Sequence, residues 1–232
     1  MSVKFYKSEH QVPLEMHKVR VVQKLNLLPV DERLRAIQKA GNNTFLLQNK
    51  DIYLDMLTDS GVNAMSDRQT AAMHLADDSY AGSETFARLK TAMKEVFGTD
   101  NVLPAHQGRA CENILAERFV KPGMVAIMNF HLTTTKAHVT RCGGEVVEVL
   151  HKKGLIPQSD DPFKGDMDLN ELRRVIEEYG PERVAYVRVE AGTNLIGGQP
   201  VSLENMLAVA DVCHEFGVPS ILDASLLQDN IY

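Results

Sequence analysis

The spacing of apolar residues changes character at about residue 100. Residues 1 to about 50 read as an arm with one or two helices. Pro29 opens a helix that continues through Ile37 and that Gly41 ends, since proline pre-sets a first turn and glycine closes a last one. Ile52 to Leu57 is a short strand candidate. Ser66 and Gln69 have capping-box spacing ahead of a helix rich in Ala and Met. Ser83 can cap a second helix that runs to Gly98.

Beyond that point strand and helix candidates alternate. Strands are predicted at Val102 to Ala105, Met124 to Met128, Glu145 to Leu150, Val184 to Val189 and Pro219 to Asp223. Helices are predicted from Gln107 to Phe119, from Thr134 to about Cys142, from Leu169 to Tyr179 and from Ser202 to Phe216. Gly180 and Gly217 close the last two. Strands buried on both faces read as continuous Val/Ile runs, as these do. The alternation predicts an α/β fold, a mostly parallel sheet covered by helices on both faces. Ligands of such sheets sit at the carboxyl ends of the strands. That draws attention to His106-Gln107-Gly108-Arg109, residues 129–135, Gly192-Thr193-Asn194 and Asp223-Ala224-Ser225.

Composition narrows the partners. With 232 residues the chain can bury a real core, and 44% hydrophobic with 24% charged residues is ordinary for a globular protein. The net charge of −6 and the lack of a basic block argue against nucleic acid or anionic membrane as the main partner. No run approaches the roughly 18 apolar residues of a membrane span, and the first residues lack the apolar region of a secretory signal. Cys111, Cys142 and Cys213 have no metal-ligand spacing, so buried free thiols in a reducing cytoplasm are expected. The eight histidines form no HExxH-like group.

Four positions can carry chemistry. Gln107-Gly108-Arg109 follows a predicted strand and opens a helix, where free N–H groups, the helix dipole and a guanidinium favour a phosphate. The bland alternative is an ordinary turn with a surface arginine. Asp223 ends an apolar strand, where a carboxylate can face a protonated pyridine nitrogen. It can equally be a helix cap or part of a loop ion pair. Asn194, amid glycines, can donate to a ring hydroxyl or a substrate carboxylate, or simply make a turn. Tyr80 can be a general acid near a cationic cofactor, or a packing residue before a cap.

The order of several short segments is more telling. Thr44-Phe45-Leu46-Leu47, Leu57-Thr58-Asp59-Ser60-Gly61, Tyr80-Ala81-Gly82-Ser83-Glu84, His106-Gln107-Gly108-Arg109, Phe163-Lys164-Gly165-Asp166 and Gly197-Gly198-Gln199-Pro200-Val201-Ser202 occur with family-like spacing from about Asp31 to Tyr232. Together they resemble the tyrosine phenol-lyase/tryptophanase family of pyridoxal 5'-phosphate (PLP) β-eliminating lyases. Met65-Ser66-Asp67 and Thr133-Thr134-Thr135 look more like the tyrosine phenol-lyase branch.

The resemblance implies an incomplete PLP fold-type I (aspartate-aminotransferase-like) large domain, an α/β/α sandwich, over residues 61–232. Residues 1–60 would be a helical N-terminal arm and small-domain contribution. Gln107, Gly108 and Arg109 would hold the cofactor phosphate, Asp223 the pyridine nitrogen, and Asn194 the ring hydroxyl and the substrate carboxylate. Thr58 and Ser60 would help bind that carboxylate. Tyr80 would protonate the leaving group, reaching in from a neighbouring subunit, with Thr133 near the leaving ring. Gly61 and Asp78 fall where the family binds potassium, although the family has Glu where Asp78 stands.

Three departures accompany the resemblance. Leu132 replaces the aromatic that stacks on the cofactor ring. Leu226 replaces an arginine that contacts the ring hydroxyl. The Schiff-base lysine motif, the substrate-carboxylate arginine and the last strands of the sheet belong to sequence beyond Tyr232. No lysine here has the family context; Lys164 sits in a family motif without a cofactor role. The implied function is the N-terminal part of a PLP-dependent carbon–carbon lyase acting on an aromatic or related L-amino acid. It would work in a homo- or hetero-oligomer, with a complementary C-terminal chain or region supplying the lysine. The alternative is a non-catalytic remnant or oligomerisation subunit of such a lyase.

Overall fold

The computed structural model describes residues 2–4, 11–13, 24–57 and 64–231, the first two stretches by backbone alone. The chain forms two compact units, Met1–Asp100 and Asn101–Tyr232.

In the first unit, β1 (Ser2–Lys4) and β2 (Gln11–Pro13) pair antiparallel. Helix α1 (Val30–Lys39) follows Pro29, with Asp31 and Glu32 in its first turn and Lys39 in its last, each favourable to the helix dipole. Ahead of α2 (Asp67–Leu75) the expected capping box is complete. Ser66 Oγ accepts from the Gln69 N–H at 3.0 Å, and Gln69 Oε1 accepts from the Ser66 N–H at 2.8 Å. Helix α3 (Glu84–Phe97) is capped by Ser83 Oγ and ends on Gly98 in the left-handed region. Asp77 binds the start of α3 through the N–H and hydroxyl of Thr85, which hold its carboxyl well below the usual range. The strand expected at Ile52 to Leu57 does not form. No strand pairs with it among the described residues, and Asp55 turns the chain by accepting the Leu57 N–H at 3.0 Å. Helices α1, α2 and α3 contribute no buried residue, while Leu34, Phe45, Leu75 and Val96 are exposed.

The second unit holds the core. Helix α4 (Gly108–Phe119) leads into β3 (Val125–Met128), followed by α5 (Thr133–Arg141) and β4 (Glu145–Glu148). Helix α6 (Leu169–Tyr179) precedes β5 (Val184–Glu190), α7 (Leu203–Phe216) precedes β6 (Ser220–Asp223), and α8 (Leu227–Asn230) is a single turn. The four strands are parallel in the order β4-β3-β5-β6. Val102 to Ala105, expected as a strand, is irregular and leaves Leu103 exposed, because no sheet strand pairs with it among the described residues.

Each sheet face has its own apolar cluster. Val125, Ile127, Val187 and Val189 pack with Leu172, Val175 and Ile176 of α6 and with Val209, Val212 and Cys213 of α7. On the other face Ala126, Met128 and Tyr186 pack with Ala116 of α4 and Val139 of α5. This is the expected α/β/α arrangement, a mostly parallel sheet covered by helices on both faces. A bulge interrupts the β3–β5 pairing: Val125 opposes Val184 but Ala126 opposes Tyr186. Ala185 is the extra residue, so Ala185 and Tyr186 both face the α4–α5 side.

The thiols divide differently from expectation. Cys213 is buried and burial pushes its thiol up to about 11, whereas Cys111 is exposed because its side of α4 faces away from the sheet. A thiol reagent should therefore modify Cys111 readily and Cys213 only on unfolding, as peptide mass mapping would read. Leu172, wholly buried between α6 and the sheet, tests the core. Leu172→Ala should lower unfolding free energy by about 2–5 kcal/mol in urea titration.

Candidate active site

The carboxyl edge of the sheet gathers the candidate residues of the second unit. From β3 the chain moves outward to β4, then returns to β5 on the other side of β3. The strand order therefore reverses between β3 and β5, where open α/β sheets form a crevice. Asn129, the residue after β3, is fully buried there. Its Nδ2 donates to the Gly165 carbonyl at 3.1 Å, the Glu190 carbonyl at 3.1 Å and Thr193 Oγ1 at 3.0 Å. Its Oδ1 accepts from the Glu190 N–H at 3.1 Å. One amide thus ties the ends of β3 and β5 together, and it fixes the loop that carries Asn194.

Two further contacts shape that loop. Asn230 Oδ1 accepts from the N–H groups of Gly192 at 2.9 Å and Val201 at 2.8 Å, joining α8 to both sides of the loop. Gly192 has φ +76, and a Cβ there would lie 2.8 Å from the Leu226 Cβ, so only glycine fits. Asn194 opens a 3-10 turn (Asn194–Ile196), and its backbone N–H bonds to the Glu190 carboxylate.

Helix α4 runs antiparallel to the strands, since its last residues feed the start of β3. Its first turn therefore lies at the carboxyl edge. Glu112, one turn in, accepts a short hydrogen bond from Thr135 in the first turn of α5. Gln107 caps no N–H with its side chain, and Gln107, Gly108 and Arg109 are all exposed. Among the described residues, a Cβ on Gly108 would meet nothing within 4 Å. Helix N-termini offer outward N–H groups to anions, so this open turn fits a phosphate. Thr133 is the exposed first residue of α5, and Leu132 before it is half-buried.

Asp223 ends β6 directly beside Glu190 of β5. Arg188 Nη2 donates to Asp223 Oδ2 at 2.5 Å, and the Ser225 N–H donates to Oδ1 at 3.0 Å. Burial pushes the Asp223 carboxyl up, but the Arg188 charge and the Ser225 hydrogen bonds outweigh it and hold the carboxyl below its usual range. Burial raises the neighbouring Glu190 carboxyl, with the Asp223 charge adding to the effect and Arg188 opposing it. An ionised carboxylate at a strand end fits a protonated ring nitrogen.

The second unit thus brings Gln107, Gly108, Arg109, Thr133, Asn194 and Asp223 to one edge. Tyr80 and Asp78 belong to the first unit, where both are exposed and Tyr80 is wholly so. Thr58, Ser60 and Gly61 lie outside the described residues. The sequence reading missed Asn129 as an organiser, and it missed Arg188 and Glu190. A signal was present for the last two: a cation and an anion two residues apart in an otherwise apolar buried strand. Replacing Asn129 by Leu would strand the buried Glu190 N–H and the Gly165 carbonyl. At about 1–3 kcal/mol for each unpaired group, denaturant unfolding should report a loss of roughly 2–6 kcal/mol.

Comparison with known proteins places the chain in a family. The beta-eliminating lyase family matches residues 55–231. Tyrosine phenol-lyase from Clostridium tetani (strain Massachusetts / E88) is 42% identical over 220 residues, covering 95% of this chain and 48% of that protein. Tyrosine phenol-lyase from Nostoc punctiforme (strain ATCC 29133 / PCC 73102) is 42% identical over 218 residues, 94% of this chain and 47% of its own length. The chain spans about half the length of the curated relatives it matches. Among solved structures, N-succinyldiaminopimelate aminotransferase from Mycobacterium tuberculosis superposes with a TM-score of 0.49 at 18% identity, over 67% of this chain and 40% of that one. With the family match running from Asp55 to Ile231 and relatives at this identity along nearly all of its length, the chain belongs to the beta-eliminating lyase family.

Proposed function

We propose that this chain provides the phosphate and ring-nitrogen half of a PLP site in a carbon–carbon lyase acting on an aromatic or related L-amino acid. The observation that carries the reading is the meeting, on one edge of one parallel sheet, of an open helix N-terminus with Arg109 and a carboxylate held ionised at Asp223. When bound, the cofactor would act as the electron sink for loss of the substrate α-proton.

The chain's own residues would divide the remaining work. The first-turn N–H groups of α4 and the Arg109 guanidinium would anchor the phosphate, with Gly108 allowing its close approach. Asp223 would keep a proton on the ring nitrogen. Asn194 would donate to the ring hydroxyl and to the substrate carboxylate, which Thr58 and Ser60 would also bind. Tyr80 would protonate the leaving group from a neighbouring subunit; its complete exposure within its own unit supports that role. Thr133 would lie near the leaving ring. Gly61 and Asp78 would contribute to a potassium site. The Schiff-base lysine would come from outside these 232 residues, in the same polypeptide or a companion chain. The exposed apolar side chains of α1, α2 and α3 support an oligomer that covers them. The proposed location is the cytoplasm, with residues 1–60 as the arm.

One observation favours a second reading. Leu226 lies against Gly192 and, like Leu132, offers no polar or aromatic contact to a cofactor. A non-catalytic subunit that stabilises a paralogue would tolerate both.

PLP titration followed by fluorescence tests the phosphate cradle in the protein containing this chain. Arg109→Ala should weaken binding by roughly 10- to 100-fold, the range of a charge-assisted hydrogen bond, while the fold persists. Unchanged affinity would remove Arg109 from the site. Phenol release from L-tyrosine with PLP present would support the lyase; PLP binding without turnover of aromatic amino acids would favour the subunit reading.

A further inference from the structure

Beneath the carboxyl edge lies a charged group that the apolar sheet does not need. Arg188 is 3% exposed and Glu190 is 1% exposed, both on β5 between two hydrophobic clusters. Like Tyr186, they lie on the α4–α5 face, two and four residues further along the strand. Asp223 stands beside Glu190 in the β5–β6 register, and Ile221 beside Arg188. The guanidinium is therefore shared between two carboxylates. Its Nη2 bonds Asp223 Oδ2 at 2.5 Å, and its Nη1 stands 3.6 Å from Glu190 Oε2.

That second contact is too long for a hydrogen bond. Among the described residues, neither Arg188 Nη1 nor Glu190 Oε2 has a hydrogen-bond partner. Buried polar atoms left in this state are uncommon and call for a reason. Stability supplies none, because an apolar replacement of a buried ion pair is often neutral or stabilising. The pair does have a consequence at the surface. Arg188 and the Ser225 N–H each hold one Asp223 oxygen, so the carboxylate cannot rotate. Asp223 keeps 19% of its side chain accessible, and an oxygen so held retains lone pairs for an outside donor. Arg188 alone would neutralise Asp223; Glu190, when ionised by the Arg188 charge against the burial that raises its carboxyl, restores one net negative charge to the three groups.

We propose that Arg188 and Glu190 are positioning residues for a ring-nitrogen contact: Arg188 fixes Asp223, and Glu190 offsets the Arg188 charge, so that Asp223 meets a protonated aromatic nitrogen as an oriented anion. This rests on the PLP reading of the site. It assigns specificity to a buried layer that touches no ligand.

The test uses two probes that cannot condense with a lysine, 4-deoxypyridoxine 5'-phosphate and its 1-deaza counterpart, in which a C–H replaces the ring nitrogen. Binding of each to the protein containing this chain is measured by calorimetry for wild type, Arg188→Met, Arg188→Lys, Glu190→Gln and Asp223→Asn. Wild type should prefer the nitrogen ligand, and Asp223→Asn should abolish the preference. Arg188→Met and Glu190→Gln should each reduce it by about ten-fold by weakening the nitrogen ligand alone, as loss of a charge-assisted hydrogen bond would. Arg188→Lys should restore part of it. Should Arg188→Met fail to fold, Glu190→Gln, which conserves shape, decides the matter. A preference kept in Glu190→Gln, or both probes weakened equally, overturns the inference while leaving the PLP site standing. Wild type that binds neither probe, or an Asp223→Asn variant with its preference intact, overturns the PLP reading and the inference with it.

Discussion

Parallel strands cannot pair through a tight turn; each must wait for the chain to cross back over a sheet face. With the order β4-β3-β5-β6, the crossovers must also change direction once, after β4. Everything at the candidate site follows from that reversal. Helix α5 occupies one face, α6 and α7 the other, and the ends of β3 and β5 lie side by side, with Gly165 of the β4–α6 connection against them. Buried backbone groups in such a gap need partners, and the Asn129 side chain supplies them for both strands. The loop that holds Asn194 is thus attached to the most buried part of the sheet.

The two units draw their order from different sources. In the first, it comes largely from hydrogen bonds made within eight residues: the Ser66–Gln69 capping box, the Ser83 cap and the Asp77–Thr85 contacts. Such caps fix where a helix starts but contribute little packing, and helices of this length gain most of their stability from burial. In the second, amphipathic α6 buries Leu172, Val175 and Ile176, and β5 is buried along its whole length.

The same distinction explains what could be read from the sequence. Caps and helix ends announce themselves locally, so Ser66, Ser83, Gly98 and Gly217 marked their elements well. Strands β3 to β6 were legible as Val/Ile runs between helices, and the residues at their ends followed. Ile52 to Leu57 and Val102 to Ala105 looked similar, but an apolar run becomes a strand only where a neighbour pairs with it, and pairing is not local. Arg188 and Glu190 escaped for a related reason. Their meaning depends on Asp223, which is more than 30 positions away in sequence and adjacent only through strand register.

The bulge at Ala185 shows how finely that register is counted. Side chains of a strand alternate between faces, so one inserted residue exchanges the two sets from that point onward. Counting from Val184 without the bulge would send Arg188 and Glu190 toward α6 and α7, and would bring Val187 and Val189 up under α4. The parity of a single residue therefore decides whether this strand delivers charge to the crevice or drives it into the oily side of the sheet. A one-residue deletion in Val184–Tyr186 is a different kind of change from any substitution there, because it turns the rest of the strand inside out.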